Sequence, residues 1–175
     1  MKTIIINDKK ILEKDIDYQV IRTKAFIVND KNEIILVHNN HTYQFPGGHL
    51  ELGESLVDSI RRELREELGI NNMVIRNPFL EIDTFDHNYF NSNDKVLNKI
   101  VYFKVETDDI PDINNLELDL LEKETPFNII SIRVEDLTKF ILEEKNKGNI
   151  DPNIAREMLL ADKFYQYLYE NIEII

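Results

Sequence analysis

The chain has 175 residues and no cysteine, which excludes a disulfide framework and any thiol chemistry. Long apolar runs are missing as well. The amino terminus, MKTIIINDKK, offers only three consecutive isoleucines before charge resumes, too few for the apolar region of a signal peptide. Nothing approaches the roughly 18 apolar residues of a membrane span. There is no low-complexity segment, and a hydrophobic fraction of 42% is too high for a mainly disordered chain. Positive charge is in short supply: 21 Lys and Arg stand against 33 Asp and Glu, a formal net charge of −12. Duplex nucleic acid is gripped through clustered Lys and Arg, so it is not an expected partner. These absences predict a cytoplasmic protein without a membrane segment, folded as one domain over residues 1–175.

What is present is concentrated between Gly48 and Ile70, in GHLELGESLVDSIRRELREELGI. The spacing predicts a helix over 55–68, with Ser55 as N-cap, Asp58 three residues on, and Gly69 as a left-handed stop. At 3.6 residues per turn, Leu56, Val57, Ile60, Leu64 and Leu68 form an apolar arc that can seat the helix on a core. Glu63, Glu66 and Glu67 gather along one edge of that arc. Like charges so placed destabilise a bare helix by a few tenths of a kcal/mol per pair (about 0.2–0.5). A hard divalent cation removes the conflict, because Mg²⁺ takes oxygen ligands, commonly one or two carboxylates plus substrate phosphates. An ordinary amphipathic helix with a solvated acidic face is the competing reading. It leaves unexplained the turn Phe45-Pro46-Gly47-Gly48, the lone Glu54, and an Arg62 placed to reach back to Glu54.

These residues resemble the Nudix box, the signature of hydrolases that cleave nucleoside diphosphates linked to another moiety. Every fixed position of the box is met: Gly48, Glu54, Arg62-Glu63-Leu64, Glu66-Glu67 and Gly69-Ile70. The resemblance implies an α/β fold, the Nudix-type α/β/α sandwich with a mixed β-sheet, here with additional C-terminal helices. It implies Glu63, Glu66 and Glu67 as catalytic residues that hold metal or activate water, with the Gly48 carbonyl as a further ligand. Glu54 and Arg62 become a structural ion pair. The cofactor would be Mg²⁺, with Mn²⁺ as a substitute, and the reaction water attack on a phosphorus of a diphosphate. The general base is not tied to one residue in this family, so Asp119, Glu122 and Glu124 on a later segment stand as candidates beside the box glutamates.

Around the box, short β-rich runs set the frame. Residues 4–6 form a candidate edge strand; 20–28 and 33–38 look like a hairpin about the Asn29–Asn32 turn. Residues 73–85 and 99–106 read as two longer strands flanking a polar loop, 88–98. Residues 111–126 are acidic and poorly periodic, and 129–134 make a last strand. Two helices follow: 135–147, stopped by Gly148, and one opened by Asp151-Pro152. In the latter, Ile154, Met158, Ala161, Tyr165, Leu168 and Ile172 form a stripe suited to packing on the same domain. A homodimer contact is its rival use.

For the substrate, a nucleotide-type small molecule, residues outside the box are candidates. Arg22 and Lys24 lie on a strand that in the Nudix fold passes near substrate, and either can pair with phosphate. Phe85, His87, Tyr89 and Phe90 offer rings for stacking on a base; local hairpin packing explains them equally well. His41 and His49 flank the turn before the helix. The motifs that follow the box in particular Nudix subfamilies are not matched. Tyr89 falls just beyond the tyrosine of dinucleoside polyphosphate hydrolases, Pro78 far short of the proline of ADP-ribose hydrolases, and SQPWPFPxS is absent. Nucleoside triphosphates, nucleotide sugars and capped RNA stay open. The alternative from another class is a catalytically inactive Nudix-fold nucleotide-binding or regulatory module, which usually lacks a box glutamate.

Overall fold

The computed structural model describes residues 1–39, 41–88, 93–118 and 126–169. Strand β1 (Lys2–Ile6) is followed by β2 (Tyr18–Ile27), β3 (Glu33–Asn39) and β4 (Thr42–Gln44). Helix α1 (Leu56–Leu68) then leads into β5 (Val74–His87), β6 (Lys95–Glu106) and β7 (Asn128–Arg133), and the chain continues through α2 (Leu137–Lys147) and α3 (Pro152–Tyr169). Among the described residues the strands form a four-stranded mixed sheet, β1-β5-β6-β2, and a three-stranded antiparallel sheet, β4-β3-β7. In the first, β1 runs parallel to β5 and β2 parallel to β6, while β5 and β6 are an antiparallel pair.

The expected hairpin of 20–28 and 33–38 is not one. Asn29 N–H does donate to the Glu33 carbonyl, so the turn exists. A single bridge joins Val28 to Ile34, and the strands then part into different sheets. β2 carries buried residues on both faces from Thr23 to Ile27, as a strand covered on both sides must. Phe26 faces one core with Leu80, Ile82 and Tyr102 under α2 and α3; Ala25 and Ile27 face the other, with Val101 and Phe103 under α1. That alternation makes the sandwich: α1 on one side of the sheets, α2 and α3 on the other.

The helix caps follow the sequence chemistry. Ser55 Oγ accepts from Asp58 N–H at 3.1 Å, and Gly69 takes the left-handed conformation at φ 68°. Asp112 and Glu117 N–H donate to the Leu68 and Glu66 carbonyls, so the exposed end of α1 is closed by the segment after β6. Ile60, Leu64 and Leu68 are fully buried, each contributing about 1.5–3 kcal/mol relative to exposure. Val57 is not part of that seat; it is 40% exposed. Its place under the helix is taken by Ser59, whose hydroxyl meets Thr23 Oγ1 of β2 at 3.0 Å.

On the opposite side, Met158, Ala161 and Tyr165 of α3 are buried, and the Tyr165 ring stacks on Phe26 at 4.0 Å. The stripe therefore packs on its own domain. Leu168 is largely exposed and Ile172 lies outside the described residues. Among the described residues no helix is long and apolar enough to cross a membrane.

Candidate active site

The Pro46-Gly47-Gly48 turn lies along the free edge of β2. Ala25 N–H donates to the Pro46 carbonyl and Thr23 N–H to the Gly48 carbonyl, both at 2.9 Å. Gly47 has φ 121°, and a Cβ there would sit 2.2 Å from the Thr23 carbonyl oxygen, so only glycine fits. A Cβ on Gly48 would lie 2.5 Å from a Glu63 carboxylate oxygen. The turn is thus pressed directly against the glutamate edge of α1, and Glu67 locks it there by accepting from Gly47 N–H at 2.6 Å.

Arg62 organises the other carboxylates. Its Nε and Nη2 donate to the two oxygens of Glu54 at 3.0 and 3.1 Å, a bidentate pair. Nη1 donates to Glu63 at 2.9 Å and Glu66 at 3.0 Å, and Nη2 also reaches the His49 carbonyl at 2.9 Å. The Arg62 hydrogen bond holds the Glu54 carboxyl below its usual range. Burial pushes the Glu63 carboxyl up, against the pull of Arg62 and Lys24. Among the described residues, no three acidic or histidine side chains converge as a ready-made cage for a metal. Arg62 draws Glu63 and Glu66 to itself, while the turn draws Glu67.

Lys24 and Arg22 project from β2 on the face toward α3. Lys24 is only 8% exposed, and its ammonium donates to Gln44 Oε1 at 3.0 Å and to the Gly47 carbonyl at 2.5 Å. Burial lowers its pKa, while the fields of Glu67 and Glu63 resist. Arg22 donates from Nε to His49 Nε2 at 3.1 Å and from Nη1 to Asn98 Oδ1 at 3.3 Å. His49 is therefore held as the tautomer with its proton on Nδ1, and burial, then Arg22 and Lys24, depress its pKa.

The model of the NUDIX domain matches residues 19–156. The chain belongs to that family. An RNA pyrophosphohydrolase of Sulfurovum sp. (strain NBC37-1) is 38% identical over 60 residues, a match spanning 33% of this chain and 38% of the relative. The Nudix-type fold is shared with solved structures of low identity. A MutT protein from Methanosarcina mazei Go1 aligns with a TM-score of 0.55 at 18% identity, over 89% of this chain and 96% of that one. A C. elegans Ap4A hydrolase aligns with a TM-score of 0.54 at 16% identity, over 88% and 98%.

Of the Nudix-box residues, Glu54, Arg62, Glu63, Glu66, Glu67 and both turn glycines meet in one place. The Gly48 carbonyl accepts from Thr23 N–H, which occupies one of its two lone pairs, and the Gly47 carbonyl accepts from Lys24. Neither Lys24 nor Arg22 is poised in open solvent. Phe85 lines a cavity of about 150 Å³ with Ile6, Thr84, Asn153, Arg156 and Glu157. His87 ends β5 half-buried, its N–H donating to Asp86 Oδ1. Exposed His41 adopts φ 62° and serves the tight turn between β3 and β4. Tyr89, Phe90, Asp119, Glu122 and Glu124 lie outside the described residues.

Glu157 of α3 was not singled out from sequence, yet its carboxyl feels both Arg22 and Lys24, and it lines the cavity. A signal for it exists. It sits three residues after Ile154 and four before Ala161, inside the apolar stripe of α3, where a carboxylate has no packing reason to be. Burial raises its pKa from 4.5 to about 7, the two cations offsetting only part of that. A raised folded-state pKa means stability is fully present below pH 4.5 and declines as pH rises toward about 7. Glu157→Gln is therefore expected to match the wild type in denaturant melts at acid pH. Above pH 7 it should exceed the wild type by up to about 3 kcal/mol, less as water reaches the carboxyl. A gap independent of pH would rule out titration of Glu157 as its source.

Proposed function

We propose that the chain is a divalent-cation-dependent pyrophosphohydrolase that cleaves the diphosphate linkage of a nucleoside diphosphate derivative by attack of water on phosphorus. The observation that carries this is the charge balance at the turn. Glu54, Glu63, Glu66 and Glu67 bring four negative charges, and Arg62 and Lys24 bring two positive ones, leaving −2. An all-oxygen site of that charge suits Mg²⁺, with Mn²⁺ as a substitute. Glu63, Glu66 and Glu67 would hold the cation, with the Gly48 carbonyl, or that of Gly47 beside it, as a further ligand. Bound there, the cation would neutralise charge developing on the phosphoryl oxygens and lower the pKa of the attacking water. Glu66, at 26% side-chain exposure the most open of the three, is placed to take the proton.

Arg22, anchored by His49 and Asn98, interacts electrostatically with Glu157, which in turn lines the Phe85 cavity. That arrangement supports the nucleoside part of the substrate resting in the cavity, with the diphosphate drawn across Arg22 to the turn.

A phosphate-release screen with Mg²⁺ tests this, over nucleoside triphosphates, nucleotide sugars, ADP-ribose, dinucleoside polyphosphates and, following the name of the Sulfurovum relative, RNA with a 5′ pyrophosphate linkage. Turnover of one class is expected, abolished by EDTA, together with a higher melting temperature in Mg²⁺. Full turnover in excess chelator would overturn the metal-dependent reading. Tight nucleotide binding with no turnover of any class would make the chain a binding module instead.

A further inference from the structure

Lys24 is a buried cation beside the carboxylates proposed above to hold another. Its ammonium has two neutral oxygen partners, Gln44 Oε1 and the Gly47 carbonyl, and lies in the field of Glu67 and Glu63. Burial of an ammonium without compensation is costly, so its position must follow from the negative cluster and the turn it holds. The Gly47 peptide is clamped from both sides: its N–H donates to Glu67 and its carbonyl accepts from Lys24. A hard carbonyl oxygen that binds an ammonium is equally a ligand for a divalent cation.

We propose that Lys24 is a positioning residue, the internal counter-ion of the Glu63–Glu67 cluster, which holds the Gly47 turn in the metal-free chain and gives up the Gly47 carbonyl when a divalent cation binds. This rests on the metal-dependent reading above. Without Lys24, the four carboxylates and Arg62 alone would leave the cluster at −3 and the turn held from one side only. With Lys24, the turn is set before the metal arrives, and the ammonium must then move away from a doubly charged neighbour. Its four-carbon stem allows that: retreat toward Gln44, or a swing to the side from which an anionic substrate approaches, needs only rotamer changes.

The test measures Mn²⁺ binding by calorimetry and thermal melting with and without Mg²⁺, for the wild type and Lys24→Met. The methionine keeps the length of the stem and removes the charge. The expected result is a Mn²⁺ dissociation constant at least about threefold lower in the variant. Its melting temperature should be lower without metal, with that deficit closing when Mg²⁺ is added. A merely structural lysine predicts the same deficit with and without metal and unchanged or weaker Mn²⁺ binding, and that pattern overturns the proposal. Should the variant fail to fold, wild-type protein labelled with ¹³C at lysine Cε decides the matter. One buried lysine resonance, broadened by Mn²⁺ as a neighbour of the site, should shift on saturation with Mg²⁺; no such shift overturns the proposal. If the wild type binds neither Mn²⁺ nor Mg²⁺, the metal-dependent reading fails first and this one with it.

Discussion

Glu67→Gln is expected to lower turnover at saturating Mg²⁺ by at least about a hundredfold while leaving the metal-free protein close to wild-type stability. The two effects separate because the hydrogen bond that Glu67 makes and the metal-holding role proposed for it have different requirements. Its hydrogen bond from Gly47 N–H needs only a carbonyl-type acceptor, which glutamine supplies in nearly the same volume. Metal holding needs the charge, and at 2% exposure Glu67 keeps its charge away from solvent screening. Removing it takes the cluster from −2 to −1 and halves the attraction for a divalent ion. In the metal-free state the loss of one mutual repulsion is offset by the loss of part of the field that supports the buried Lys24 ammonium. Steady-state kinetics beside Mn²⁺ titration check this. Normal turnover with normal metal binding would move the principal ligand role to Glu66, which is held by Arg62 at 3.0 Å.

The parts of the fold legible in the sequence are those specified by near neighbours. The start of α1 at Ser55, its stop at Gly69, the end of α2 at Gly148 and the opening of α3 at Pro152 each rest on one or two residues whose backbone or side-chain chemistry is local. The sequence points to a β2–β3 hairpin because the turn is real and only its continuation is not. What separates the strands is the parallel pairing of β2 with β6, from Tyr18 opposite Val96 to Ile27 opposite Val105, and no local pattern announces a partner that far along the chain.

The site divides in the same way. Glu54 and Arg62 are eight residues apart, and the three remaining box glutamates share one helix, so their meeting was written in the spacing. The reach of Lys24 into the turn and of Glu157 toward Arg22 depends on which elements stack across β2. Lys24 is a phosphate candidate because the Nudix resemblance puts its strand near substrate; its partners Gln44 and Gly47 follow from packing that no local pattern shows.

Arg62→Ala should be the most destabilising single change at the site, at about 3 kcal/mol in denaturant melts, or roughly 6–12 °C for a chain of this size. The guanidinium gives all its directed hydrogen bonds to one neighbourhood: both oxygens of Glu54, one each of Glu63 and Glu66, and the His49 carbonyl. Truncation strands Glu54, at 14% side-chain exposure, and takes the cluster from −2 to −3. Arg62→Lys recovers little of this, since an ammonium cannot reproduce the planar fork on Glu54 while also reaching Glu63 and Glu66. The loss has a pH signature. Because Arg62 depresses the Glu54 pKa, the stability that Glu54 contributes is present above the ordinary value of 4.5 and disappears as pH falls through the depressed one. The variant should lack that part of the acid limb, so its deficit against the wild type narrows as the solution is acidified. Mg²⁺ should narrow the deficit too, by supplying from outside the charge that was removed. A deficit that ignores both pH and Mg²⁺ would mean that Arg62 acts through packing of its stem, and the electrostatic account of the cluster would have to be given up.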